Sequence, residues 1–204
     1  MYSLSQSVAP TAEPVTLVQA KEQLNIDAGE DVDDSYLSGL IEAARDVVEI
    51  ETGRQLMTAT WKLTTDQFPA GRQSMWLPKP PLQSITTVSY KEADAGVATT
   101  WSSSNYNVST EREPGLVWPV YGSTWPSTRH EGDEVTITYV TGYTSAALVP
   151  SGIKHAILLL IAHWNAHREE SAEASPSRIP AGAARLINNW RIGEEWLNYS
   201  GCVW

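Results

Sequence analysis

The sequence has little cysteine and no long apolar run. Cys202 is the only cysteine among 204 residues, so no internal disulfide can form and we expect a product of the cytosol. The longest apolar run, residues 156–162, is far too short to span a bilayer, and we expect no membrane association. No basic segment followed by an apolar one opens the chain, so we predict no signal peptide.

Basic residues are also scarce. The chain has 14 Lys and Arg against 24 Asp and Glu, a formal net charge of −10. Binding to phosphates requires cationic side chains that displace counterions, so this composition argues against a protein that grips nucleic acid. It is compatible with DNA passing nearby, and simple solubility explains it equally well.

Aromatic usage is skewed away from phenylalanine: there are nine Trp and eight Tyr but one Phe. Trp and Tyr combine an apolar body with a polar tip, which suits surfaces that partners bury. Filling of the protein's own core explains any single Trp as well.

Apolar residues recur at helical spacing in the first quarter of the chain. Leu17, Ala20 and Leu24 predict a helix that Thr16 caps. After the acidic turn 25–34, Asp33 or Asp34 is positioned to cap a longer helix that Gly53 ends. Its apolar positions are Leu37, Leu40, Ile41, Ala44, Val47 and Val48.

The period changes to two from residue 58, which predicts strands. Gly, Pro and Ser separate these segments and indicate turns. The predicted strands lie at 58–68, 75–77, 85–90, 106–108, 116–120 and 135–140.

Two helices are predicted after Pro150. The first begins near Ser151, and apolar residues nearly encircle it between Ile153 and Trp164, so we expect burial on several sides. The second spans 180–191, with Pro180 in its first turn.

This order of helices, strands and helices predicts an α+β fold, in which a helical bundle formed by the N- and C-terminal helices carries an inserted antiparallel β module. We expect a flexible N-terminal arm at 1–14 and a helical domain at 15–57 and 149–191. We expect the β module at 58–148 and a C-terminal tail at 192–204.

Several long segments resemble the head–tail connector (adaptor) family of tailed phages and gene transfer agents. The likeness runs in order from about residue 15 to 190, and its unusual parts include the segment LPKPPLQSI at 77–85 and the Trp-Pro pair at Trp125. The segments are SYLSGLIEAARDVVEIETGRQL (35–56), WLPKPPLQSITTVSY (76–90), EPGLVWPVYGSTWPSTR (113–129), VTITYVTGY (135–143) and VPSGIKHAILLLIAHWNAHRE (149–169).

The resemblance implies a structural subunit of a virion neck. Such adaptors form a ring, usually of twelve copies, that docks beneath the portal protein and extends the DNA channel toward the tail. The partners implied are the portal, further copies of the chain and a tail-proximal (stopper) protein, with DNA passing through the lumen without specific binding.

Two sets of residues are candidates for these contacts. For portal docking we name residues at the C-terminal end, because aromatic anchors dominate interface energetics: Trp190, Arg191, Trp196, Tyr199 and Trp204. For the ring interface we name residues of the nearly all-apolar helix: Ile157, Leu159, Leu160 and Trp164.

No chemical motif is complete, and we expect no enzyme, cofactor or metal. His163 and His167 have a metal-ligand spacing, but no carboxylate ligand set accompanies them. Ser151 and Lys154 fit the S-x-x-K pattern without its partner motifs, and Ser151 is more simply a helix cap. The acidic turn 25–34 lacks the spacing of a calcium loop.

Two alternative functions stay open. A Trp-rich β module could bind carbohydrate or a host surface, which predicts exposed aromatic side chains aligned on a β face. An unrecognised hydrolase is also possible in principle, since any two carboxylates can meet in space.

Overall fold

We analysed a computed structural model that describes residues 2–27, 29, 33–93, 97–128, 131–167 and 179–193. Within these ranges the chain forms four helices and eight strands. The helices are α1 (Leu17–Leu24), α2 (Asp34–Thr52), α3 (Ser151–Ala166) and α4 (Ala181–Asn188). The strands are β1 (Tyr2–Val8), β2 (Ala59–Thr65), β3 (Met75–Leu77), β4 (Leu82–Lys91), β5 (Ala98–Trp101), β6 (Tyr106–Ser109), β7 (Gly115–Pro119) and β8 (Val135–Thr141).

The chain divides into a helical unit and a β unit. The helical unit comprises Thr11–Met57 and Thr144–Arg191, and the β unit is built around Met1–Pro10 and Thr58–Tyr143. This confirms the predicted α+β fold, with the helices before and after a β insertion joined in one bundle.

Local signals in the sequence set the first two helices. Thr16 caps α1, because its hydroxyl accepts from the backbone N–H of Gln19 at 3.2 Å while the Gln19 side chain accepts from the N–H of Thr16 at 3.0 Å. Asn25 ends α1 and Gly53 ends α2 in the left-handed conformation. Asp33 lies at the N-terminus of α2 but makes no capping hydrogen bond with its side chain.

Helix α3 packs at the centre of the helical unit, in contact with α1, α2 and α4. The faces turned to this centre are apolar, so the bundle is held by burial of one stripe from each helix. The buried residues of α2 and α3 are chiefly Leu37, Ile41, Ala44, Val48, Ile153, Ala156, Ile157, Leu160 and Ile161.

The β unit contains two antiparallel sheets. The larger has the strand order β1-β2-β8-β4-β5 and the smaller has the order β3-β7-β6. Strand β8 alternates buried and half-buried residues along its whole length, as a central strand with one face on the core does.

Aromatic side chains fill much of the core of the β unit. Phe68 stacks on Trp125 with ring centroids 4.6 Å apart, and Trp101 lies 5.0 Å from Trp125. The indole N–H of Trp125 donates to the carbonyl of Gln73 at 2.8 Å, which satisfies the one polar group that this ring buries. Part of the unusual Trp content is therefore core.

The N-terminal segment corrects one prediction. Instead of a flexible arm over 1–14, Tyr2–Val8 forms edge strand β1, paired antiparallel with β2 from Tyr2 opposite Thr65 to Val8 opposite Thr60. Leu4 packs against the apolar core of the β unit. Pairing with β2 over residues 60–65 orders a segment whose composition alone indicates mobility.

Further along, Val15 is buried and belongs to the helical unit. The chain therefore passes between the two units over a few residues that include Pro10. A smaller correction concerns Ser151, which is the first residue of α3 and not its cap, because Pro150 occupies that position.

Candidate assembly interface

The sequence predicts four ring-interface residues on α3, and for two of them this assignment is wrong. Ile157 and Leu160 are 0% exposed in the single chain. A side chain with no accessible surface cannot reach a neighbouring subunit while the core stays folded, so these two residues hold the helical unit itself together. The sequence pattern alone could not separate them from an interface, since both environments select apolar residues.

The other two predicted residues of α3, Leu159 and Trp164, are half-buried. A methyl carbon of Leu159 lies 3.7 Å from the position that a Cβ on Gly182 would take, so Leu159 lies beside α4. Both side chains keep accessible surface, and their role at a ring interface stays a prediction.

Trp190 and Arg191 fix the end of α4 to the end of α2. The carbonyl of Trp190 accepts from Nε of Arg54 at 2.7 Å, and the Arg54 guanidinium lies 5.9 Å from the centroid of the Trp190 ring. Nε of Arg191 donates to the carbonyl of Glu51 at 2.8 Å, and its guanidinium pairs with the Glu51 carboxylate.

These contacts give Trp190 and Arg191 a structural task that the sequence did not reveal, because Arg54 and Glu51 lie more than 130 positions away along the chain. The two residues anchor the chain where the predicted docking tail begins. The remaining predicted docking residues, Trp196, Tyr199 and Trp204, lie outside the described residues.

An ion pair that sequence reasoning missed holds the segment before α1. Arg45 of α2 pairs with Glu13 and with Asp46. Burial raises the pKa of the Glu13 carboxyl above its ordinary value, although the Arg45 guanidinium opposes this shift. A contact between residues 32 positions apart leaves no periodic signal in the sequence.

A buried cation joins α1 to α2. Lys21 of α1 is almost fully buried, and its ammonium lies 2.5 Å from a carboxylate oxygen of Asp34, the first residue of α2. The pair joins two consecutive helices, so one acidic residue of the turn 25–34 serves packing and not ion binding.

The two histidines at the C-terminal end of α3 contact each other. His163 and His167 have ring centroids 4.6 Å apart, and Nδ1 of His167 donates to the carbonyl of His163 at 2.8 Å. In the part of the chain that the structure describes, no group of three or more His, Cys, Asp or Glu side chains could hold a metal ion.

The S-x-x-K pair does not form a catalytic arrangement in α3. Lys154 directs its ammonium to the carbonyl of Ala146 at 3.3 Å, and Ser151 is exposed on the first turn. A lysine that donates to a backbone carbonyl in this way restrains the 3₁₀ turn at Ala146–Leu148, just before α3.

The carbohydrate-binding alternative requires exposed aromatic side chains aligned on a β face. Trp101 and Trp125 belong to the core, and Trp76 and Trp118 are half-buried. Among the described residues of the β unit, the most exposed aromatic residue is Tyr121, 94% exposed in a turn, with the Arg72 guanidinium 5.2 Å from its ring centroid. One Tyr in a turn is not the aligned set that this alternative predicts.

A search of the described helices for one long and apolar enough to cross a bilayer found none.

Comparison with known proteins gives a consistent family and fold. The model of the head completion protein family matches residues 15–177. A comparison with curated protein sequences found no match.

Solved structures from gene transfer agent (GTA) particles share the fold. A chain from the neck of an empty GTA particle, computed with C6 symmetry, has a TM-score of 0.76 and 22% identity, over 94% of this chain and 96% of that one. A chain from the virion of a native particle has a TM-score of 0.72 and 20% identity, over 93% and 95%. A chain from the neck of a native particle, computed with C12 symmetry, has a TM-score of 0.67 and 23% identity, over 95% and 96%.

Proposed function

Because this chain belongs to the head completion protein family, we propose that it is a structural subunit of the neck of a tailed phage or phage-like particle. In this proposal the subunit is made in the bacterial cytoplasm, assembles into a ring beneath the portal and joins the capsid to the tail. The observation that carries the proposal is the family match over residues 15–177, together with a fold shared over nearly the whole chain with neck proteins of GTA particles.

The ring is proposed to contain twelve copies. The similar neck structures were computed with C6 and with C12 symmetry, and a ring of twelve satisfies both, because sixfold rotation is contained in twelvefold rotation. Cyclic assembly requires two unlike surfaces on each subunit. The half-buried residues Leu159 and Trp164 stay candidates for one of them.

The portal is the proposed partner of the C-terminal end. Trp190 and Arg191 are held against the helical unit through Arg54 and Glu51, so the tail that follows leaves from a fixed point. A tail-proximal stopper protein is the proposed partner on the opposite side of the ring, through the β unit.

The charge of the chain suits a channel for DNA. A net charge of −10 per subunit disfavours binding of phosphates to the wall, and basic walls would slow the passage of DNA. We propose no catalysis, since neither the histidine pair nor the S-x-x-K pair has the geometry of a reactive site.

Removal of the protein from a particle-producing cell tests this function. We expect DNA-filled heads without tails, and restoration of tailed particles when the wild-type chain is supplied again. Electron microscopy of purified particles is the measurement. Normal numbers of tailed, infectious particles in the absence of the protein would contradict the proposal.

A further inference from the structure

Helix α2 carries two apolar seams, and only one of them is buried by the described residues of the helical unit. The inner seam is fully or almost fully buried and consists of Leu37, Ile41, Ala44 and Val48. The outer seam lies beside it at the same alternating spacing of three and four residues and consists of Leu40, Ala43, Val47 and Ile50. This spacing is typical of helix faces that pack on another helix.

The outer seam is accessible in the single subunit. Ala43 and Ile50 are exposed, Leu40 and Val47 are half-buried, and Ile50 keeps 73% of its surface. An apolar helix face of this kind is unfavourable in water unless a partner covers it.

Gly39 lies next to the outer seam, and packing among the described residues does not explain it. A Cβ at this position would meet no atom within 4 Å, so packing within the chain does not require glycine there. Glycine in the middle of a helix costs about 1 kcal/mol relative to alanine. Close approach of a second helix would account for both the missing side chain and the apolar seam.

We propose that the outer seam of α2 packs against α4 of a second copy of this chain. Helix α4 presents exposed Ala181, Gly182 and Arg185 on one face, while its buried residues Ala183 and Ile187 belong to the core. The small side chain of exposed Ala181 leaves room for a large side chain such as Ile50, whereas Gly182 lies beside Leu159 of its own chain. This inference rests on the proposed function, since it names the surfaces that join neighbouring copies in the ring.

Charge complementarity favours this occupant. Glu42 is exposed on α2, one residue before Ala43 of the outer seam, and Arg185 is exposed on α4. Among the described residues neither of them makes an ion pair within its own subunit. Copies of a chain with a net charge of −10 repel each other in general. An arrangement that places Glu42 opposite Arg185 of the neighbouring copy gains an attraction instead, so these two charges select one docking arrangement.

The lengths of the two helix faces and the symmetry of the contact also support the proposal. The outer seam from Leu40 to Ile50 spans about 15 Å and the eight residues of α4 span about 12 Å, at 1.5 Å per helical residue. Because α2 and α4 are unlike surfaces, a contact between them is head-to-tail and can be repeated around a closed ring.

A charge exchange between Glu42 and Arg185 tests the proposal. The variants Glu42→Arg and Arg185→Glu each place like charges at the contact, and we expect each to reduce assembly of the full chain on its portal at least about tenfold. The double variant restores an opposite-charge pair and should recover most of the assembly. Native mass spectrometry of the mixture with portal is the measurement.

A second pair of variants tests the apolar seam. We expect Ile50→Asp to prevent assembly while its thermal unfolding stays close to that of the wild type, because Ile50 is exposed in the single subunit. Leu148→Asp is the matched control, since Leu148 is also exposed (60%) in the helical unit but lies outside the seam, and it should assemble.

The outcomes separate this inference from the function on which it rests. If the wild-type chain forms rings and the double charge variant is no better than the single ones, or Ile50→Asp assembles like the control, the α2–α4 contact is refuted and the ring function stands. If the wild-type chain forms no assembly with its portal, the proposed function fails, and this inference fails with it.

Discussion

The carboxylate of Glu49 accepts a hydrogen bond from the backbone N–H of Leu56 at 2.8 Å. The same oxygen accepts from the side chain of Gln55 at 2.7 Å, and Glu49 is almost fully buried. One acidic side chain of α2 thus fixes the turn through which the chain leaves the helix and enters the β unit.

Removal of this carboxylate should destabilise the protein. For Glu49→Ala we expect a loss of about 2–3 kcal/mol in the free energy of unfolding, because a buried N–H loses a charged acceptor. Glu49→Gln keeps an acceptor oxygen and should cost less than half as much. Chemical denaturation followed by circular dichroism measures both, and an alanine variant as stable as the wild type would show that water replaces the carboxylate.

Leu160 and Leu159 should respond oppositely to the same change. Leu160→Asp places an unpaired charge in the core of the helical unit, so we expect no folded protein. Leu159→Asp affects a half-buried position and should fold, with a loss confined to ring assembly if Leu159 contacts a neighbour. Soluble expression and thermal unfolding distinguish the two, and a folded Leu160→Asp variant would contradict the burial described here.

Truncation of the C-terminal tail separates docking from folding. A chain that ends at Arg191 should unfold at the temperature of the full chain but bind the portal more weakly. A chain that ends at Asn189 loses the contacts to Arg54 and Glu51 and should be less stable by about 1–3 kcal/mol. If the chain that ends at Arg191 is itself unfolded, the tail is part of the core and not a docking segment.

The sequence predicted the helices well because their signals are local. The spacing of Leu37, Ile41, Ala44 and Val48, with Gly53 after them, determines α2 from start to end. In the same way the capping box of Thr16 and Gln19 marks the start of α1. These features depend on neighbours within one or two turns, which the sequence displays directly.

Strand β1 shows what local signals miss. Its larger residues Tyr2, Leu4 and Val8 alternate with serine, which is a strand pattern, but its serine content and terminal position favour a mobile arm. This segment forms a strand because it pairs with the edge of β2, which is about sixty residues away along the chain.

The candidate site was harder to predict than the fold. Burial of Ile157 and Leu160 depends on contacts of α3 with three other helices, and an apolar core residue looks the same in sequence as an apolar interface residue. The pairing of Arg45 with Glu13 likewise depends on the path of the chain before α1.

Cryo-electron microscopy of the purified protein mixed with its portal tests the central claim most directly. The account predicts a closed ring of this chain beneath the portal, with the helical units in contact around the ring and the C-terminal segment on the portal. A protein that stays monomeric and never associates with the portal would contradict it.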